Sequence, residues 1–493
     1  MTVVVDEVET RYAVPEHALL PAFELLPHVG SVEHVGSTLV ATYVDTADLD
    51  LLRSGITLRR RTGGDDDGWH LELPDRDGRH EVRLPLDDAD RDTPPALVAI
   101  TQVVHRGRPL RRVATVETRR DTALLRDHDG HPFAEVRDDR VTARRLGPDP
   151  ATVRWREWEL ELVDGGGPAP EETARLLLAA GARPAQDGTT LERVLTLARP
   201  ATAATTLPRH PTAADVLGPD LDRRVHELVR LDPLARADVP DAVHRMRVAG
   251  RRLRALLGSY RSLLDRDVTD PVRGELAWVV GALGGPRDLE VVQERLDALI
   301  GDQSEAAAAG RAALHEQHDR AHAAAVAALA SPRYFALLET LTGLAEHPPW
   351  RDRAGRPATH ELHRTLRKQV RRLDAAAEAA RVAHGSEARA AALHDVRRAV
   401  KRVRYAVEAA LPFLGADAAS YAEELASVQD VLGDHHDAVV VRARLREMSP
   451  SLPWSVMAPG LHELDQELHE DEQRYAELVA RLLRRRHRHW LDD

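Results

Sequence analysis

The chain has 493 residues, of which 43% are hydrophobic, 30% charged and 4% aromatic, so it is a globular protein with room for two or three cores built on Leu, Val and Ala. It contains no cysteine, which excludes disulfides, thiolate metal sites and cysteine nucleophiles and fits a reducing cytoplasm. A formal net charge of −12 argues against indiscriminate binding to nucleic acid, so any cationic site has to be local. The opening MTVVVDEVETRY lacks a basic region followed by a long apolar run, so no signal peptide is expected. No apolar stretch of about eighteen residues exists, so no membrane span is expected either.

Residues 1–199 read mainly as short strands separated by Gly, Pro or Asp clusters: VVVDEVETRYAV, GITLRRRTGG, GWHLELP, EVRLPL, TVETRRDTALL, FAEVRDDRVTA and WREWELEL. Residues two apart on a strand share a face. Glu7, Glu9 and Arg11 therefore point one way, and so do Arg59 and Arg61. Glu157, Glu159 and Glu161 stand opposite Trp158, Leu160 and Leu162. Charge on one strand usually faces water; charge of consistent type on several strands asks for a ligand. Carboxylates on the first and last strands suit a hard divalent cation, and arginines between them suit phosphate oxygens. Together they form a metal–phosphate site.

In order, EVETR, YVDTADLDLLRSGITLRRRTGGDDDGWHLELP, EVRDDRV and REWELEL resemble a CYTH domain over roughly residues 1–199. The resemblance implies an antiparallel β-barrel-like tunnel that acts on triphosphate compounds with Mg²⁺ or Mn²⁺. It implies Glu7, Glu9, Glu159 and Glu161 as metal-binding acids, Arg59, Arg61 and Arg120 as the phosphate clamp, and Asp138 or Asp139 as a further acid. Arg11 stands where the family's Glu-x-Glu-x-Lys ends in lysine, keeping the charge but losing a deprotonatable amine. Glu72 stands in LELP where the family has a phosphate-binding lysine, and Thr190 stands at another lysine position. Reversing the charge of one clamp residue costs about 2–5 kcal/mol in a desolvated site. The departures weigh on catalysis and leave the fold expectation intact.

ARPATAATTLPRHPTAA has no periodicity and supplies a linker, 200–212. From 213 to 493 the period is helical, including the Ala-rich EAAAAGRAALHEQHDRAHAAAVAALA. Here the chain repeats itself. HRMRVAGRRLR places His244, Arg247, Arg251 and Arg254 at offsets that HDVRRAVKRVR reproduces with His394, Arg397, Lys401 and Arg404. On a helix each set spans an arc of about 80°, with Leu253, Leu256 and Leu257 on the far side of the first. LGGPRDLEVV from Leu283 and LGDHHDAVVV from Leu432 form a second repeated pair. His394 lies 150 residues after His244, and Leu432 lies 149 after Leu283, so the motifs keep register. The pattern predicts two similar bundles about a pseudo-two-fold axis.

Arg252 and Arg402 add to the two stripes, and HELHRTLRKQVRRL contributes Arg364, Arg367, Lys368, Arg371 and Arg372. Like-charged helices repel unless an anion joins them. Readers of single-stranded nucleic acid interleave aromatic platforms with their cations, and these helices offer only Tyr260 and Tyr405. Inorganic polyphosphate fits better. His435, His436 and Asp437 could suggest metal ligands, but the first copy has Arg287-Asp288 where the second has His436-Asp437, and arginine does not ligate metals. Helix N-capping or local hydrogen bonding by those aspartates is the plainer reading. DAVHRMRVAGRRLRALL, LGGPRDLEV, LHDVRRAVKRVRYAVE and VQDVLGDHHDAVV resemble a CHAD domain over roughly residues 213–493. That resemblance implies an all-helical domain of two four-helix units, with histidines and cations lining a polyphosphate groove.

The expectation is thus a two-domain α+β protein, an antiparallel tunnel followed by an all-α domain of two repeated bundles. It binds inorganic polyphosphate and, by resemblance, hydrolyses short chains in the tunnel with Mg²⁺ or Mn²⁺. The alternative is a polyphosphate-binding or targeting protein with a degenerate, non-catalytic CYTH domain. Neither sequence-specific nucleic acid nor a membrane is an expected partner. The expected location is the cytoplasm, with polyphosphate granules as a place of association.

Overall fold

In the first half, alternating β-branched and charged residues pair into a single antiparallel sheet. The computed structural model describes residues 2–5, 9–64, 66–76, 78–86, 92–162, 169–185, 190–195, 206–300, 305–447, 454–484 and 487–491. They form two compact units, Met1–Thr202 and Ala203–Asp493. The strands of the first are β1 (Thr2–Val5), β2 (Glu9–Ala13), β3 (Ser31–Asp45), β4 (Thr57–Thr62), β5 (Gly68–Asp75), β6 (Gly78–Leu84), β7 (Arg111–Arg126), β8 (Pro132–Arg145), β9 (Ala151–Leu162) and β10 (Arg183–Pro184). Short helices α1 (Asp50–Arg53), α2 (Pro95–Ile100), α3 (Gln102–His105), α4 (Ala169–Ala179) and α5 (Thr190–Leu195) decorate them.

Sheet order is β1-β6-β5-β4-β3-β7-β8-β9-β2-β10. β1 and β2 therefore pair near opposite ends of the order, yet Val5 and Glu9 can be at most about 14 Å apart along the chain. The sheet has to curl until its ends meet, which gives a tunnel. β3 departs from the expected strands: residues 31–45 had no place among them. Glu33, His34, Gly36 and Ser37 spoil the apolar alternation in its exposed half, and pairing with β4 and β7 holds it as a strand. Outside the tunnel, α4 and the segment around Phe23 cover Trp158, Leu160, Ala134 and Val136. At one end α5 sets Leu191, Val194 and Leu195 against Ala41, Tyr43, Val116, Val141 and Ala143.

The second unit is helical: α6 (Ala213–Arg236), α7 (Ala242–Ser259), α8 (Arg266–Ala282), α9 (Gly284–Ile300), α10 (Glu305–Leu329), α11 (Pro332–Glu346), α12 (Ala358–Val382), α13 (Ser386–Glu408), α14 (Leu411–Leu414), α15 (Ala416–Glu447) and α16 (Trp454–Leu482). Thr212 caps α6 in a capping box with Asp215. By sequence repeat α7 matches α13, and α9 matches the second half of α15. These counterparts pack on each other, as α6 does on α12, the self-pairing that a two-fold relation produces. The copies differ at one joint. Pro286 has no N–H for the Ala282 carbonyl, and the helix is interrupted at Leu283. His435 occupies that place in the second copy, and α15 runs through unbroken. Asp437 consequently lies mid-helix, so the N-cap reading of that residue is corrected.

Inside the first bundle Asp232 is fully buried and accepts from Arg236 Nε at 2.6 Å, while Arg236 Nη2 donates to the Leu329 carbonyl at 2.7 Å. Removing one partner of such a pair strands the other charge. Asp232→Ala is expected to destabilise this unit by about 3–5 kcal/mol in denaturant unfolding of the full chain. Combining it with Arg236→Met should recover most of that loss.

Candidate functional site

Register places the charged residues of the tunnel on one face. Arg120 opposes Asp139, Asp139 opposes Glu157, and Arg137 opposes Glu159. Glu161 opposes Glu135 on one side and Glu9 on the other, while Glu159 opposes Arg11. Across the tunnel Arg59 opposes Tyr43 and His70, and Glu72 opposes Glu81. Eight strands contribute to this face. Its apolar end lies under α5, and there Arg193 sits over the Trp155 ring at 5.0 Å and reaches Glu157 at 3.4 Å.

Each expected clamp arginine is held by carboxylates. Arg120 meets Asp139 at 2.5 and 2.8 Å and Glu159 at 2.9 Å. Arg59 meets Glu72 at 2.6 Å and Glu81 at 3.2 Å, and Arg61 pairs with Asp66. Glu159 also pairs with Arg11 at 3.3 Å, and Glu161 pairs with Arg137. Burial disfavours charge on Arg59, but Glu72, Tyr43 and Glu81 overcome it and raise its pKa. Burial likewise pushes the Glu81 carboxyl up, yet the His70 hydrogen bond and Arg59 bring it down to about 2. Glu157 behaves oppositely, its carboxyl raised by burial and by Asp139 against the pull of Trp155, Arg11 and Arg193.

Of the two candidate aspartates, Asp139 faces this network. Asp138 is on the other side of the sheet, which corrects its place in the catalytic set. It accepts from Arg156 at 2.6 and 2.7 Å, and Arg156 ties down the carbonyls of Glu16 and Ala18 at 2.7 and 2.6 Å. Its role there is to staple the N-terminal segment to the barrel wall. Glu7 lies outside the described residues, and Glu9 is placed only through its strand register. Sequence reasoning missed Glu135, Arg137, His70, Arg79 and Glu81. The alternation Glu135, Arg137, Asp139 in FAEVRDD was the available signal.

In the helical unit the two stripes converge. Burial, followed by Arg397, Arg251 and Arg247, lowers the Lys401 ammonium to about 7 against the opposing pull of Asp437. His244 is lowered to about 4 by burial and by Arg287, Arg251 and Arg247, against Asp241. Arg247 donates to the Gly284 carbonyl at 2.8 Å, and a Cβ on Gly284 would lie 3.7 Å from its guanidinium. Arg397 stands in the same way 3.8 Å from a Cβ on Gly433. The repeated Leu-Gly motif thus seats the second cation of each stripe. His394 lies 6.4 Å from His436, the counterpart of Arg287, which stands beside His244.

The remaining expected cations lie outside that cluster. Arg252 pairs with Glu408 at 3.6 Å and covers the Tyr405 ring at 5.7 Å, and Arg404 pairs with Glu408 at 2.7 Å. Arg254 is exposed. Arg402 sits among Arg372, Arg398 and Arg273 in a separate patch. On α12, Arg364 pairs with the buried Glu361 at 3.1 Å and Arg367 donates to the Leu491 carbonyl at 2.5 Å, so these serve packing. Among the described residues, no helix is long and apolar enough to cross a membrane.

Family comparison matches residues 6–194 to the CYTH domain and residues 219–446 to the CHAD domain. Over 464 residues the chain is 37% identical to the uncharacterized protein MT2285 of Mycobacterium tuberculosis (strain CDC 1551 / Oshkosh), covering 89% of this chain and 88% of that one. The chain belongs to the proteins that join a CYTH domain to a CHAD domain. Among solved structures it is similar to PptA from Streptomyces chartreusis, with a TM-score of 0.45 and 24% identity over 55% of this chain and 99% of that one. It is also similar to the CHAD domain from the plant Ricinus communis, with a TM-score of 0.43 and 23% identity over 58% and 94%.

CYTH domains typically work with divalent metals, and the donor set of this CYTH unit fits such an ion. Glu9, Glu161 and Glu135 occupy one cross-strand row, in which Arg137 already pairs with both Glu161 and Glu135. All three acids are oxygen donors suited to a hard cation. The departure at Glu72 also has a local explanation, since it accepts from Arg79 at 2.9 Å as well as pairing with Arg59.

Glu81 also sets an acid limit. With its folded pKa near 2, below the ordinary 4.5, it stabilises the CYTH unit above about pH 4.5 and loses that contribution as pH falls towards 2. Glu81→Gln should lower stability at neutral pH and flatten the decline between pH 4.5 and 2, read from thermal melts across that range.

Proposed function

We propose that the protein binds inorganic polyphosphate through its CHAD unit and hydrolyses short phosphate chains in its CYTH unit. One observation carries the binding half: α7 and α13, counterpart helices packed on each other, bring Arg247, Arg251, Arg397 and Lys401 together, and burial followed by those arginines lowers the lysine to about 7. A ligand rich in negative charge relieves that repulsion. Bases would need a stacking surface, and Tyr405, the aromatic residue of the basic helix, is only 5% exposed and lies under Arg252. A phosphate chain needs only guanidinium forks and ammonium charge.

In the CYTH unit, Arg59, Arg61 and Arg120 would exchange carboxylate partners for phosphate oxygens, while Glu9, Glu159 and Glu161 would hold Mg²⁺ or Mn²⁺. The bound cation would supply charge neutralisation at the phosphoryl oxygens. Glu159→Gln is expected to abolish Mn²⁺-dependent phosphate release from tripolyphosphate and to leave long-chain polyphosphate binding unchanged, with circular dichroism confirming the fold. Loss of both activities together would refute this division of labour.

A second reading, a phosphate receptor without catalysis, draws on Glu72, which already balances Arg59 and Arg79 without any ligand. Wild-type protein that releases no phosphate with Mg²⁺ or Mn²⁺, yet binds tripolyphosphate, would decide for it.

Groove binding carries a pH signature. A bound polyanion raises Lys401 back towards 10.5 and His244 towards 6.5 or above, so binding takes up protons. Affinity should weaken as pH rises above about 7 through Lys401, and between about 4 and 6.5 through His244. Lys401→Arg is expected to remove the upper limb while retaining affinity. Arg247→Ala with Arg251→Ala, or Arg397→Ala with Lys401→Ala, should each weaken binding strongly and flatten its salt dependence. Titration of polyphosphate at several salt concentrations checks this, and wild-type slopes in both pairs would overturn the groove.

A further inference from the structure

We propose that Asp238, Glu290 and His318 form a binding site for a divalent transition-metal ion such as Zn²⁺, separate from the carboxylate row of the CYTH unit. The three come from different elements: the turn after α6, the first half of α9 and the middle of α10. Their ligand atoms all lie within 4.8 Å of one another. His318 Nε2 points at Glu290 Oε1, 3.7 Å away, and at Asp238 Oδ1, 4.0 Å away.

Those separations decide the reading. They are too long for hydrogen bonds, which run to about 3.2 Å. A tetrahedral ion with ligand bonds of about 2.1 Å spaces its donors about 3.4 Å apart, so donors now 3.7, 4.0 and at most 4.8 Å apart would have to draw together by about 0.3 to 1.4 Å to close the site. Mixed imidazole and carboxylate donors suit Zn²⁺ rather than Mg²⁺ or Ca²⁺. The imidazole is mostly buried, with 12% of its side chain exposed.

Neighbouring groups already orient the donors. Arg287 holds Glu290 by its other oxygen, Oε2, at 3.2 Å and leaves Oε1 towards His318. His322, one turn along α10, stacks on His318 with rings 6.2 Å apart and 7° from parallel. Its Nε2 bonds the Ala235 carbonyl at 2.8 Å and lies 3.5 Å from Asp238 Oδ1, the same oxygen that faces His318. Arg287 thus gives Glu290 the outer support that ligating carboxylates usually have. Three protein donors leave a fourth position for water or an oxygen of a bound anion. At the repeat offset of 149, Glu290, His318 and His322 correspond to Val439, Glu467 and Asp471, so the second bundle lacks the imidazoles.

The test uses the full chain without a polyhistidine tag. Zn²⁺ titrated calorimetrically should show a site whose affinity falls at least about tenfold in His318→Ala and in Glu290→Gln. Co²⁺ should give the visible absorption of a low-coordinate ion, lost in the same variants. His315→Ala, an exposed histidine on the same helix, should keep the site, and so should Glu159→Gln in the CYTH unit. His318→Gln and circular dichroism guard against a variant that merely misfolds. Binding of Zn²⁺ and Co²⁺ that is unchanged in His318→Ala and Glu290→Gln, or absent from the wild type, overturns the proposal. Neither result depends on phosphate binding or hydrolysis.

Discussion

Like charges gathered on one helix face must be held there by something other than their own attraction to counter-charges, and the CHAD unit is organised around that constraint. Two unit charges about 6 Å apart in an effective dielectric near 20 repel by about 3 kcal/mol. Arg247, Arg251, Arg397 and Lys401 accept that repulsion because the opposite faces of their helices are locked in apolar packing: Val243, Met246, Leu253 and Leu257 on α7, and Leu393, Val396, Val400 and Val403 on α13. Burial first, and these neighbouring arginines after it, lower the pKa of Lys401. Duplication explains the economy of the arrangement. One helix design, used twice and packed on itself, brings two stripes together where a single copy would present only one.

The Leu-Gly motif follows from the same constraint. Arg247 and Arg397 each lie along the glycine of their own copy's motif, at 3.7 and 3.8 Å from where a Cβ would stand, an ordinary van der Waals contact. Arg247 also donates to the Gly284 carbonyl, so the motif's backbone anchors the first of the two guanidinium groups. The copies diverge one step further on, where Pro286 breaks the first helix and His435 lets the second continue. That divergence leaves Arg287 tied to Glu290 in one copy, while in the other His436 stands beside His394.

The sequence carried the two-domain plan and the repeat because each rests on local periodicity, alternation along strands and the offsets shared by His244 and His394, while the tunnel was implied by the resemblance to a CYTH domain. It also carried the gathering of acids and arginines on one sheet face, though not their pairing with each other. What it hid depends on register. Asp138 and Asp139 are adjacent and must face opposite ways, but only the pairing of β7, β8 and β9 shows which one meets Arg120. Glu72 read as a defect in a cation set until Arg79 appeared across the β5–β6 hairpin. Arg252, Arg254, Arg402 and Arg404 share helices with the groove cations, yet small differences of helical angle send them to Glu408, to solvent or to a second patch. Strand β3 was hidden because Gly36 and Ser37 fall in a wall whose pairing, not its composition, makes it a strand.

The two units therefore meet anions by opposite electrostatic logic. In the tunnel every clamp arginine already has a carboxylate, so an entering phosphate must displace an acid, and the displaced acid must find another cation. A divalent ion satisfies that demand, which makes cation and phosphate arrive as partners in the proposed chemistry. In the proposed groove the cations are crowded against one another, so a phosphate chain would be stabilising by itself and would need no metal to enter. On the proposed function, a tunnel of balanced pairs would favour a short, metal-bound terminus, because each phosphate would trade against a fixed acid. A stripe of crowded cations would accept length, because every further phosphate would relieve another repulsion.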